Sequence, residues 1–225
     1  MTEKDPLHEK TSLLISYLLK ITFLIILLFI ALPNQDYLWI TSSAISLFLS
    51  LIPTILRYLK IFTLPGIIDL MITLALFMHV GIGGVFDLYL AYPNFDILTH
   101  YFSGFLVAFL IFTALYLVDL NWDEFKIHPY AIAIGTIIGT MALGVIWEWA
   151  EWIGDYLFNL QSQLDLFDTM LDLLMDTIGA LSMALLGIRM HNKGEYKTFV
   201  SQLEKDTEAL IQKTQQIPKK HKNKT

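Results

Sequence analysis

The sequence contains no cysteine, which excludes disulfide bonds, a thiol nucleophile and a thiolate metal site. Any metal must then be held by oxygen or imidazole. Charge is scarce as well: Asp, Glu, Lys and Arg make up 16% of the residues, against roughly a quarter in a soluble protein. Hydrophobic residues make up 55%. That imbalance points to the membrane class. Long unbroken apolar runs, rather than short alternating segments, exclude a transmembrane β-barrel. No repeat with a period of about 20 to 50 residues and no inverted repeat is visible. The expected fold is all-α: a polytopic transmembrane helical bundle of six spans.

Leu13 to Leu32 reads as one unbroken apolar run, about 20 residues long, the length a helix needs to cross a roughly 30 Å hydrocarbon core. It exceeds the h-region of a secretory signal, and no Ala-x-Ala site follows it. After the polar turn Pro33-Asn34-Gln35-Asp36, a second span near Tyr37 to Leu56 carries Pro53 close to its end and is closed by Arg57 and Lys60. Pro65 suits the first turn of a third span, which reaches about Leu90 with Asp69 near its start and His79 near its middle. Gly81, Gly83 and Gly84 either admit a close neighbour there or break the helix early. The fourth span runs from about Asp96 to Val118, the fifth from Pro129 to near Phe158, and the sixth from Asp168 to about Arg189. The fifth is about 45 Å long by helical rise, so it tilts or protrudes.

The formal net charge of -6 is unevenly distributed. Up to Met190 there are seven Lys and Arg against seventeen Asp and Glu; beyond it, eight against four, giving totals of 15 and 21. Residues 1–190 thus read as an acidic six-span domain and residues 191–225 as a basic cytoplasmic tail, partly helical or disordered. Phe199, Leu203 and Leu210 give that tail a weak helical pattern without an obvious partner. Basic residues fall at the N-terminus, at Arg57 and Lys60, at Lys126 and in the tail, while the loops at Asn34, Pro93 and Ser162 have none. This alternation puts both termini in the cytoplasm of a multi-pass protein of the inner cell membrane.

In that orientation the outward ends of spans four, five and six gather the carboxylates. Asp96 and His100 are i and i+4 on span four, with Ser103 and Gly104 on the same face. Glu148, Glu151 and Asp155 lie within about 60° of arc at about 100° per residue. Gly135 and Gly139 occupy roughly the opposite face, and Trp147, Trp149 and Trp152 read as interfacial anchors. Asp168, Asp172 and Asp176 form an i, i+4, i+8 stripe. Asp168 also suits a helix cap, a role too shallow for Asp172 and Asp176. Asp87 is a marginal addition, and His79 suits a mid-bundle hydrogen bond.

Carboxylates so crowded in a low dielectric must take up protons or share a cation. An acid-rich set with one imidazole favours Mg²⁺, Mn²⁺ or Ca²⁺, with Zn²⁺ or Fe²⁺ also compatible. The candidate metal ligands are Asp96, His100, Glu148, Glu151, Asp155, Asp168, Asp172 and Asp176, and the candidate catalytic groups Glu148, Glu151 and Asp172. An acid not consumed as ligand can act as general base on a bound water.

Three stretches carry a resemblance: Pro93-Asn-Phe-Asp96-Ile-Leu-Thr-His100-Tyr-Phe-Ser-Gly104, Trp147-Glu148-Trp149-Ala150-Glu151-Trp152, and Asp168-Thr169-Met-Leu-Asp172 through Gly179-Ala180. In this order they resemble the YjdF-like family of small inner-membrane proteins, and the Asp-x₃-His element is distantly similar to the VanZ-like proteins. The resemblance implies a multi-span membrane protein in which Asp96, His100, Glu148, Glu151, Asp168 and Asp172 match motif positions. Three functions follow as expectations: a metal-dependent hydrolase of a lipid or lipid-linked substrate, a cation- or proton-coupled transporter, or a structural scaffold.

Overall fold

In a computed structural model the described residues are 6–32, 37–59, 64, 66–86, 88–92, 94–122, 126–159, 162–202 and 205. Among these residues there are α-helices and π-helical segments and no strand. Helix α1 (Pro6–Ile25) continues into a π-helical segment (Ile26–Ala31), α2 spans Tyr37–Tyr58, and α3 (Gly66–Leu76) widens into a second π segment (Phe77–Val85). A single turn, α4 (Leu88–Ala91), leads to α5 (Asn94–Asn121), α6 (Pro129–Phe158) and α7 (Leu166–Asn192). Among the described residues five helical stretches are long and apolar enough to cross a membrane, and Thr11–Ile25 is a shorter apolar one. The all-α fold is as expected. Pro33–Asp36, Lys60, Pro65, Asp87 and Pro93, to which turns, a helix start and a marginal site role were ascribed above, lie outside the described residues.

Local chemistry sets the helix ends that matter. His128 caps α6 by accepting from Tyr130 N–H, and Pro129 fills its first position, where no donor is missed. Asn159 ends α6 in the left-handed region, φ 55°, which Asn tolerates better than most residues. Asp165 caps α7 by accepting from Asp168 N–H at 3.0 Å, and Asp168 in turn accepts from Leu164 N–H at 3.2 Å. The cap is thus Asp165, three residues ahead of the position suggested by the sequence.

The closest helix pair is α5 with α7, and glycine makes the approach feasible. A Cβ on Gly104 would lie 2.6 Å from the Asp176 carbonyl oxygen, and one on Gly179 would collide with the Tyr101 carbonyl. The two backbones therefore meet directly, in the manner of small-residue contacts in membranes. Gly135 and Gly139 also face α5, against Leu115 and Ile111.

Two features depart from expectation. The run Leu13–Leu32 is interrupted by Lys20, which is buried and paired with Asp69 of α3 at 2.9 Å. Ser16 donates to the same carboxylate and Lys20 also donates to Thr54 of α2. Serines at i and i+4 spacing before a lysine mark a polar stripe that a hydropathy average conceals. The glycines of the third span lie in its π segment, whose wider turns carry His79, and Gly83 there admits a close neighbour: a Cβ on it would collide with the Tyr89 ring.

The tail also has a partner. Residues 195–202 are helical, with Tyr196 and Val200 fully buried in the core beside Phe112 and Tyr116 of α5. The Tyr196 hydroxyl is 2.8 Å from that of Thr113. Leu203 and Leu210 lie outside the described residues. Burial pushes the Tyr196 phenol up to about 12. Because the folded value is raised, this contribution to stability is complete below pH ~10, the ordinary tyrosine value, and is lost as pH rises toward 12. Tyr196→Phe is expected to cost about 0.5–1.5 kcal/mol at neutral pH and to reduce the loss of thermal stability between pH 10 and 12. Thermal unfolding of the detergent-purified protein as a function of pH checks both.

Candidate metal centre

The site lies at the end of the bundle where α5 and α7 begin and α6 finishes. On α5, one turn separates Asp96 from His100. The Gly104–Gly179 crossing sets α7 directly against that face, bringing Asp172 and Asp176 to the imidazole. His100 Nε2 lies 3.7 Å from Asp96 Oδ1 and 3.8 Å from Asp172 Oδ1, and Nδ1 lies 3.5 Å from Asp176 Oδ1. His100, Asp172 and Asp176 are buried; Asp96, at the rim, is partly exposed.

The two Nε2 separations are too long for hydrogen bonds. They fall within the spacing left between donors about 2.0–2.2 Å from one ion. One ligand atom each from Asp96, His100 and Asp172 lie within 4.8 Å of one another. The third acid, Asp176, is placed on the other ring nitrogen, where a carboxylate orients a ligating histidine and raises its basicity. Gly144 leaves α6 room for it: a Cβ there would approach Asp176 Oδ2 to 2.6 Å.

The remaining acids separate by partner. Glu148 is buried; its Oε2 accepts from Gln163 Nε2 at 2.9 Å, and Oε1 has no hydrogen-bond partner among the described residues. Glu151 Oε1 accepts from the Trp147 indole at 2.9 Å. Asp155 binds the hairpin loop: Oδ1 accepts from Ser162 N–H and hydroxyl, and Oδ2 from Gln163 N–H. Asp168 belongs to the cap of α7. The loop thus folds back over the end of α6, bringing Gln163 to Glu148.

Several contributors were not apparent from sequence. Thr99 donates to the Asp96 carbonyl at 2.8 Å and lies 3.3 Å from its Oδ1. The Tyr89 hydroxyl lies 3.4 Å from Thr99 and 2.5 Å from His79 Nδ1. Burial raises the Tyr89 phenol above its ordinary value, so it keeps its proton within this chain of contacts. Trp147, expected only as an interfacial anchor, packs edge-on to His79 at 5.4 Å between ring centroids. This chain of contacts ties the third span to the site. Thr99, one turn after Asp96, was the one member with a readable spacing; Tyr89 comes from the single turn α4 and Gln163 from the connection before α7, both too short for helical periodicity to give a signal.

Taken together, fold and site define an integral membrane protein of the all-helical, multi-pass class with a buried carboxylate–histidine cluster. The chain belongs to the family described as predicted membrane protein (DUF2238), whose family model matches residues 15–193. An uncharacterized protein of Thermotoga maritima is 30% identical over 129 residues, covering 56% of this chain and 64% of that protein's length. No solved structure matches the chain.

Proposed function

We propose that the chain is a metal-dependent membrane enzyme, a hydrolase acting on a lipid or lipid-linked substrate. The observation carrying this reading is the convergence of Asp96, His100 and Asp172 on one point, with Asp176 on the far ring nitrogen. Oxygen-rich coordination with one imidazole suits Mg²⁺, Mn²⁺, Ca²⁺ or Zn²⁺. A metal there would acidify a bound water and polarise a substrate oxygen. Glu148, with one carboxylate oxygen unpaired among the described residues, is suited to accept a proton from that water, and Glu151 lies one turn further along α6.

The alternation of basic loops supports an outward-facing site in an inner cell membrane, with cytoplasmic termini. Similarity to the YjdF-like motifs supports the same choice of residues. Protein purified in detergent without chelator is expected to contain one divalent ion per chain by elemental analysis. Asp176→Asn is expected to weaken metal binding about 10- to 100-fold, the usual cost of removing an orienting partner. Folded protein that neither retains nor rebinds Mg²⁺, Mn²⁺, Ca²⁺ or Zn²⁺ would overturn the proposal.

A further inference from the structure

The bundle consists of two groups of helices that meet loosely. Helices α5, α6 and α7 pack closely together, as do α1 and α3 with α2 alongside, and the groups touch mainly through the third span and α5. Between them is a cavity of about 730 Å³, within the roughly 300–1,000 Å³ range of small-molecule sites.

Its two ends differ in chemistry. His79, Thr99, His100 and Asp176 line one end, so the cavity borders the candidate metal centre through His100 and Asp176. The body is aliphatic, with Leu56, Ile72, Leu76, Leu106, Leu110 and Leu143 in its wall. Along α5 the lining extends from Thr99 to Leu110, about 16 Å by helical rise. That is close to one leaflet, half of a roughly 30 Å hydrocarbon core. The cavity also reaches the side of the bundle: Ile52 of α2 and Ile146 of α6 both line it and are exposed on the outer surface. Among the described residues α2 and α6 do not pack closely on one another.

We propose that this cavity receives the hydrocarbon chain of a phospholipid drawn sideways from the surrounding bilayer between α2 and α6, with the headgroup at the His100 end. The assignment of the headgroup to a reacting position rests on the metal-centre reading; the seating of the chain does not. Water has little to gain in the aliphatic body, whereas a chain of one-leaflet length loses no apolar environment on leaving the bilayer. A lipid in this position reaches the His100 and Asp176 side of the cluster without its tail crossing water.

The test uses the full chain in nanodiscs containing a phospholipid with a photoreactive diazirine midway along one acyl chain. Crosslinks mapped by mass spectrometry are expected at Ile72, Leu76, Leu110 and Leu143. Ala75→Trp and Leu110→Trp, each filling the cavity away from the metal ligands, are expected to reduce crosslinking at the remaining cavity positions at least tenfold. Only variants that stay monodisperse and keep the wild-type helical spectrum are compared. Crosslinks confined to bilayer-facing residues such as Leu185 and Leu186, or cavity crosslinks unaffected in both folded variants, would overturn the inference. Metal content of the same preparations separates the two readings: cavity labelling without metal removes the metal centre alone, and metal without cavity labelling removes the lipid chamber alone.

Discussion

His100→Ala is expected to lose divalent metal, with a larger fall in affinity than the about 10- to 100-fold typical of an orienting partner. The reason is geometric. Nε2 of His100 is 3.7 Å from one carboxylate and 3.8 Å from another, and Nδ1 is 3.5 Å from a third. Removing the ring therefore takes away the nitrogen of the proposed donor set and separates Asp176 from it. It also leaves three acids crowded without the imidazole between them, so the residual cluster should favour protons over metal. His100→Gln, closer in size and still polar, separates loss of the ligand from collapse of the packing. Isothermal titration with Mn²⁺ at neutral pH, together with the helical spectrum, gives the answer. Wild-type affinity in folded His100→Ala would show that the ring is not a ligand.

Lys20→Met is expected to destabilise the protein by about 3–5 kcal/mol, the range for breaking a buried ion pair by removing one partner. Asp69 would then keep the Ser16 hydroxyl but lose its counterion among buried groups of α1, α2 and α3. The double variant Lys20→Met/Asp69→Leu should recover most of that loss, since replacing a buried pair with apolar residues is often neutral or stabilising. The serine and threonine hydroxyls around the pair limit the recovery, because each loses an ionic partner. Thermal unfolding of the single and double variants in one detergent measures the difference. If Lys20→Met unfolds at the wild-type temperature, the pair is not holding α1 to α3.

The role of Asp69 shows where sequence reading succeeds and where it stops. Its position near the start of the third span was readable, and its distance from the carboxylate–histidine cluster followed from helix length. Its partner was not, because averaging hydropathy over Leu13–Leu32 hides one lysine among many aliphatic side chains. The same limit applies at the site. The i, i+4 spacing of Asp96 and His100, and the stripe through Asp172 and Asp176, identify helix faces directly. Asp155 lies on the acidic face of α6 as Glu148 and Glu151 do, but its carboxylate binds the backbone of the 159–165 loop. Periodicity locates a face; a loop amide that claims an acid leaves no periodic trace.

What the sequence determined by itself was the class of structure and the chemistry available to it. A bilayer requires about 20 apolar residues per crossing and backbone groups satisfied within the segment, so long apolar runs become helices wherever their neighbours lie. The absence of cysteine likewise limits metal ligands to oxygen and imidazole. Only the tertiary structure decided which acids share a centre. A helix can present its polar face at any rotation about its axis, and the rotations of α5 and α7 are set by backbone contact at Gly104 and Gly179. That contact brings Asp172 and Asp176 to opposite nitrogens of His100. The connection between α6 and α7 then engages Asp155 and, through Gln163, one oxygen of Glu148, leaving the other without a partner among the described residues.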